Sequence, residues 1–139
     1  MTLKWNGQQV KENLIEAFIT GSAMTAEEIF TTSQNSVPRD TGTLGNSGCV
    51  TYNKLPNPLT TYNEAKVKAV DSDLGYSPDI KTIYISYNTP YANKQHEDLQ
   101  LHHPNGGQAK FLEKAINSHG KPNDFRRNII KAAKMLGLR

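Results

Sequence analysis

Apolar positions recur every three or four residues along the first quarter of the chain. Val10, Leu14, Ala17, Phe18, Gly21 and Met24 share one side of a helical projection, while Lys11, Glu12, Glu16, Glu27 and Glu28 take the others. The spacing predicts a helix over residues 6–33, with Asn6 as N-cap and Gln9 completing a capping-box-like pair. Gly21 inside it predicts a kink or a close packing contact. The periodicity stops at "NSVPRDTGTLGNSG" (35–48). Pro38 pushes Val37 out of the helical region, and Gly42, Gly45 and Gly48 follow at three-residue intervals, so this is an ordered turn.

Beyond the turn the period shortens. "CVTYN" (49–53) has strand character, and "KLPNPL" (54–59) is a Pro-rich tip. In "TYNEAKVKAV" (61–70) Ala65, Val67 and Ala69 alternate with Glu64, Lys66 and Lys68, which favours a half-exposed strand. "IKTIYISY" (80–87) is the clearest strand, being rich in Ile, Thr and Tyr. After Pro90 the helical period returns. "KFLEKAINSHG" (110–120) is a short helix closed by Gly120, and residues 123–136 form a second, with Phe125, Ile129, Ala133 and Leu136 on one face and Ile130 at its edge. The predicted fold is one α+β domain over residues 1–139. It has a long N-terminal helix, an antiparallel sheet of about three or four strands and two C-terminal helices. Residues 54–79 are an extended insertion between strands, and there is no internal repeat.

Composition narrows this picture. The chain has 139 residues, enough for one ordinary domain and its core. No run of about 18 apolar residues exists, which excludes a membrane-spanning helix. The first residues, "MTLKWNGQQ", lack the apolar stretch of a signal peptide, so synthesis in a cytoplasm is expected. Cys49 is the single cysteine, so neither an internal disulfide nor a CxxC knuckle can form, and it is expected as a small buried apolar residue. Charge is unevenly placed. Residues 121–139 carry six basic side chains against Asp124, whereas the rest has ten basic against twelve acidic. A basic C-terminal helix on an acidic-leaning body suggests a partner of opposite charge or nearby nucleic acid.

The stretch "YANKQHEDLQLHHPNGG" (91–107) holds three of the four histidines and invites a metal-site reading. A metalloprotease helix needs H-E-x-x-H, because ligands at i and i+4 share one face. His96-Glu97 is present, but position 100 is Gln100, and His102 and His103 are adjacent and followed by Pro104. The favoured reading is a polar, hydrogen-bonding loop facing solvent or a neighbouring subunit, with no metal and no cofactor. Nucleophile-elbow and phosphate-loop motifs are missing, and "TGTLGNSG" precedes a strand instead of opening a helix. Asp71, Asp73 and Asp79 lack the spacing of a calcium loop. The chain is therefore expected not to be an enzyme. A small metal-dependent hydrolase using His96, His102 and His103 stands as a remote alternative.

Two segments together resemble a known family. "VPRDTGTLGNS" (37–47), following an amphipathic first helix, resembles the V-P-x-D-T-G-x-L-x-x-S signature of the small head-to-tail connector proteins of tailed bacteriophages, the minor capsid, tail-component or tail-completion proteins. "YISYNTPYANKQHEDLQLHHPNGGQAKFLEKAI" (84–116) resembles the later block of the same families. It has a strand, the pair Tyr91-Ala92, Glu97, a glycine-bearing turn and a helix opening with Phe111-Leu112. The two blocks cover about a third of the chain, in the expected order; the stretch 54–79 departs from the pattern. The resemblance implies a non-enzymatic virion protein of the head–tail neck, made in the host bacterial cytoplasm. It would form a homo-oligomeric ring that joins portal-side proteins to the tail. Such rings are heterologous, each subunit offering one face to a different face of the next.

On this reading Arg39, Asp40, Tyr91, Glu97, His102 and His103 are the candidates for subunit contacts, with Arg39 and Asp40 offering a cross-subunit ion pair. Pro38, Thr41 and Gly42 set turn geometry. Trp5 is expected to staple the first helix to the core. Arg126, Arg127, Lys131 and Lys134 face either DNA or an acidic partner surface. If DNA is touched, the contact runs through phosphates and is steeply salt-dependent. A nucleic-acid-binding module built on these four residues is the main alternative function. It is weakened because no aromatic after Phe125 can stack on bases.

Overall fold

The computed structural model describes residues 6–39, 42–55 and 79–137. In chain order the elements are α1 (Gly7–Ser36), α2 (Thr43–Asn46), β1 (Gly48–Tyr52), β2 (Ile83–Tyr87), α3 (Ala92–Glu97), α4 (Phe111–His119) and α5 (Pro122–Met135). The α+β class, the long first helix and the C-terminal helix pair all match the sequence pattern. The sheet differs. Among the described residues it has two antiparallel strands, paired from Gly48↔Tyr87 to Tyr52↔Ile83, fewer than the three or four expected. The stretch 61–70, assigned to a further strand by its alternation, lies outside the described residues, as does Trp5. The strand expected from residue 80 begins only at Ile83. Asn53, at φ 63°, turns the chain there, and its side-chain oxygen accepts the N–H groups of Lys81 and Thr82 at 2.8 and 3.2 Å. Those amides are taken from the ladder.

Asn6 caps α1 as its sequence suggests, its Oδ1 accepting the Gln9 N–H at 3.4 Å. The Gln9 side chain does not reach back; it donates to Asn13 Oδ1 at 2.9 Å. The face that α1 buries also differs from the simple apolar stripe. Val10, Leu14 and Phe18 are 41%, 55% and 61% exposed, while Ala17, Gly21, Thr25, Ala26, Ile29, Phe30 and Ser33 are buried. The packing partners, α5, α4 and the sheet, lie against the later turns of α1. Its first turns run past them.

Gly21 is a contact and not a kink. A Cβ there would lie 2.5 Å from the backbone of Ile129, so α1 and α5 touch almost main chain to main chain. Ala17 and Ala132, each 1% exposed, extend the close approach. A satisfied polar pair locks it: Asn128 Nδ2 donates to Thr25 Oγ1 at 2.9 Å, and Thr25 donates to the Gly21 carbonyl at 3.0 Å. The buried line of α5 therefore runs through Asn128 and Ala132, one position away from the expected Phe125–Ile129–Ala133–Leu136 face, whose members are half-buried. α5 starts at Pro122, a favoured first helical residue, with the Asp124 carboxylate accepting the Lys121 N–H at 3.0 Å.

Tyr87 joins the two core clusters. One contains Ala26, Phe30 and Val50; the other contains Val37, Leu44 and Phe111. Its ring stacks on Phe30 and meets Phe111 edge-on. Its hydroxyl lies 2.6 Å from Ser33 Oγ, and since Ser33 donates to the Phe30 carbonyl, the tyrosine supplies the shared proton. Burial pushes the Tyr87 phenol up to about 12. The folded state thus holds a proton that the unfolded chain releases near its ordinary value. Stability is full below about pH 10 and falls as pH rises toward about 12, by roughly 2 kcal/mol. Tyr52, raised by burial and then by Glu27, acts in the same direction. Urea unfolding at about pH 8 and about pH 11.5 measures the loss, and Tyr87→Phe is expected to lose most of it. An alkaline profile unchanged by that substitution would refute the assignment.

Candidate interaction site

The two family-like blocks meet in space. In the first, Val37 and Leu44 are buried against Phe111, so two signature positions serve packing. Ser47 is the joint to the sheet: its Oγ donates to the Leu44 carbonyl at 2.7 Å and accepts the Asn88 N–H at 3.1 Å. Gly42, at φ 85°, opens α2, so the ordered turn expected here closes as a single helical turn; the Gly42 carbonyl accepts the Asn46 N–H and the Thr43 carbonyl the Ser47 N–H. Arg39 donates to the Gln34 carbonyl at 3.1 Å, a cation on the exposed carbonyl end of α1. Asp40 and Thr41, and with them the proposed Arg39–Asp40 pair, lie outside the described residues.

Main-chain bonds tie the second block to the first. Arg39 N–H donates to the Gly106 carbonyl at 3.2 Å, and Gln108 N–H to the Ser36 carbonyl at 2.9 Å. Gly107, at φ 89°, lies so close to Pro38 that no side chain fits between them. The result is a cleft of about 400 Å³ whose walls include Arg39, Thr43, Tyr91, Gln95, His102 and His103. Tyr91 is 42% exposed and His102 is open to solvent, whereas His103 Nε2 is buried with no hydrogen-bond partner among the described residues. Four of the six predicted contact residues thus share one surface. Gln95 and Thr43 were not singled out by the sequence, and only their adjacency to Tyr91 and Gly42 marked them.

Glu97 and His96 stand apart from this cleft. His96 Nε2 accepts the Glu113 N–H at 3.3 Å, so the ring carries its proton on Nδ1, which faces Glu97 Oε1 at 2.8 Å. Its ring also meets Phe111 edge-on. Lys110, in the left-handed conformation at φ 57°, offers α4 no side-chain cap, and His96 supplies one from another element. Lys110 Nζ pairs with Glu97 and, at 3.3 Å, with Glu113. The Lys110 ammonium, then His96, holds the Glu97 carboxyl below the usual range, and Glu97 in turn raises Lys110. Glu97 is therefore an intramolecular strut between α3 and α4. Both ring nitrogens of His96 are engaged, and among the described residues no group of three or more His, Cys, Asp or Glu side chains is placed to hold a metal ion. Cys49 is half-buried, its sulfur 3.5 Å from Ser86 Oγ.

The basic residues of α5 divide into two kinds. Arg127 bridges Glu28 at 3.1 Å and Asp124 at 3.0 Å, and so braces α5 against α1. The Lys121 N–H, then Arg127, holds the Asp124 carboxyl below its ordinary value. Arg126, Lys131 and Lys134 point outward with Asn123 and Ile130, forming a shallow basic groove. No helix among the described residues is long and apolar enough to cross a membrane. No protein-family model, curated protein or solved structure matches the chain.

Proposed function

We propose that this chain is a non-enzymatic virion protein of a tailed phage, part of the ring that joins portal-side proteins to the tail at the head–tail neck. The observation that carries the reading is the convergence of the two family-like segments. Residues separated by about 70 positions are bonded through main chain at Arg39–Gly106 and Ser36–Gln108, and together they wall one exposed cleft. Loops braced in this way by a helical scaffold suit recognition of a neighbouring subunit. The signature residues Val37, Leu44 and Ser47 act as its internal supports. A second reading, non-specific DNA contact, is favoured by the outward cations Arg126, Lys131 and Lys134.

The neck reading is tested by deleting the gene in the phage that encodes it and imaging the lysate. DNA-filled heads and free tails that fail to join are expected, with joining restored by the purified chain. Intact, infectious tailed particles from the deletion would overturn the proposal.

A further inference from the structure

We infer that copies of this chain associate head to tail, with the acidic outer face of α1 on one copy resting on the basic outer face of α5 on the next. The inference rests on the ring assembly proposed above and names its contact. α1 has four acidic residues against Lys11, and α5 has four basic residues against Asp124. The position of those charges matters more than their number. Gly21 and Thr25 turn one side of α1 toward α5, and at 3.6 residues per turn Glu12, Glu16 and Glu27 fall on the side away from it. Asn128 and Ala132 turn one side of α5 toward α1, which leaves Arg126, Ile130, Lys131 and Lys134 on the far side. The two charged faces therefore look out from opposite sides of the helix pair.

That arrangement selects the symmetry. Pairing either face with its own copy, as a two-fold dimer does, would set like charges together. A head-to-tail step from one copy to the next sets acid against base and leaves an unused face at each end, which gives a ring where the accompanying rotation closes and a filament where it does not. The cations are available for this contact. Among the described residues Arg126, Lys131, Lys134, Glu16 and Glu27 make no ion pair within the chain. Apolar surface underlies the charges: Ile130, 44% exposed, sits among the cations, and Ile15, 37% exposed, adjoins Glu12 and Glu16.

Sedimentation velocity over a concentration series tests the contact with the full chain. Wild type is expected to self-associate at about 0.05 M salt and more weakly at about 0.5 M. Glu12→Lys with Glu16→Lys, and separately Lys131→Glu with Lys134→Glu, should each weaken association by about tenfold or more. An equimolar mixture of the two should restore it, because each reversed face then meets its complement. All four positions are on the surface, and circular dichroism checks that both variants fold. Association unchanged by either reversal, or no rescue in the mixture, overturns the inference and leaves the neck reading to the gene-deletion result. A chain that stays monomeric but retains duplex DNA through Lys131 and Lys134 overturns it too, and assigns the basic face to nucleic acid.

Discussion

Phe111→Ala is expected to lower the free energy of unfolding by about 3–5 kcal/mol, the largest effect of any single truncation proposed for this chain. Phe111 is 2% exposed and opens α4. Its ring meets both Tyr87 and His96 edge-on with centroids 5.0 Å apart, and it packs on Val37 and Leu44. Truncation leaves a cavity where α4, the sheet and the 37–47 segment join, and the edge-on contacts are lost with it. The loss should spread to the cleft. Faster amide exchange is expected at Asn46 and Ser47, whose N–H groups bond to Gly42 and Thr43 within the turn that Leu44 anchors. Urea unfolding and hydrogen exchange on the variant measure both effects. A cost below about 1 kcal/mol would mean that Phe111 is not the keystone of that cluster.

The second large effect comes from adding atoms. Gly21→Ala should stabilise an isolated helix by about 1 kcal/mol, because alanine is the better helix former. Here the added Cβ would stand 2.5 Å from Ile129 Cα and N, and backbone cannot rotate aside as a flexible side chain can. The packing penalty, about 1–3 kcal/mol and more for valine, outweighs propensity. It also strains the buried Asn128–Thr25 hydrogen bond beside it. Gly21→Val is expected to lose about 3 kcal/mol and to lower Tm by roughly 10 °C. A rise in Tm for Gly21→Ala would show that α1 and α5 do not approach so closely.

Much of the architecture was legible before any tertiary contact was known. The 3.6-residue period, Asn6 and the Gly120 stop placed the three long helices within a few residues of their observed ends, and β-branched and aromatic enrichment placed β1 and β2. Two short elements were missed. α2 is a single turn of four residues, opened by a glycine in the left-handed region, and its composition is that of a loop. α3 is six residues with no buried member, so it carries no apolar period to detect.

The candidate site was legible in its parts and not in its assembly. Pro38, Arg39, Gly42, Tyr91, His102 and His103 were each singled out from their own segments, and all six border the cleft. Glu97, grouped with them through the 84–116 family-like block, does not border the cleft, because the short helix turns its carboxylate toward Lys110. Arg127 was indistinguishable from Arg126 in a run of charge, yet one braces α1 through Glu28 and the other faces outward. The type and order of the elements, and which side of each is apolar or charged, were readable from the chain, since these follow from local period and residue chemistry. Which apolar surfaces are covered was set by long-range packing. Val10, Leu14 and Phe18 repeat with a buried period and remain exposed, whereas the residues that α1 buries begin at Ala17 and continue to Ser33. Periodicity reports the side a helix offers for packing, and chain closure over long sequence distances decides what comes to meet it.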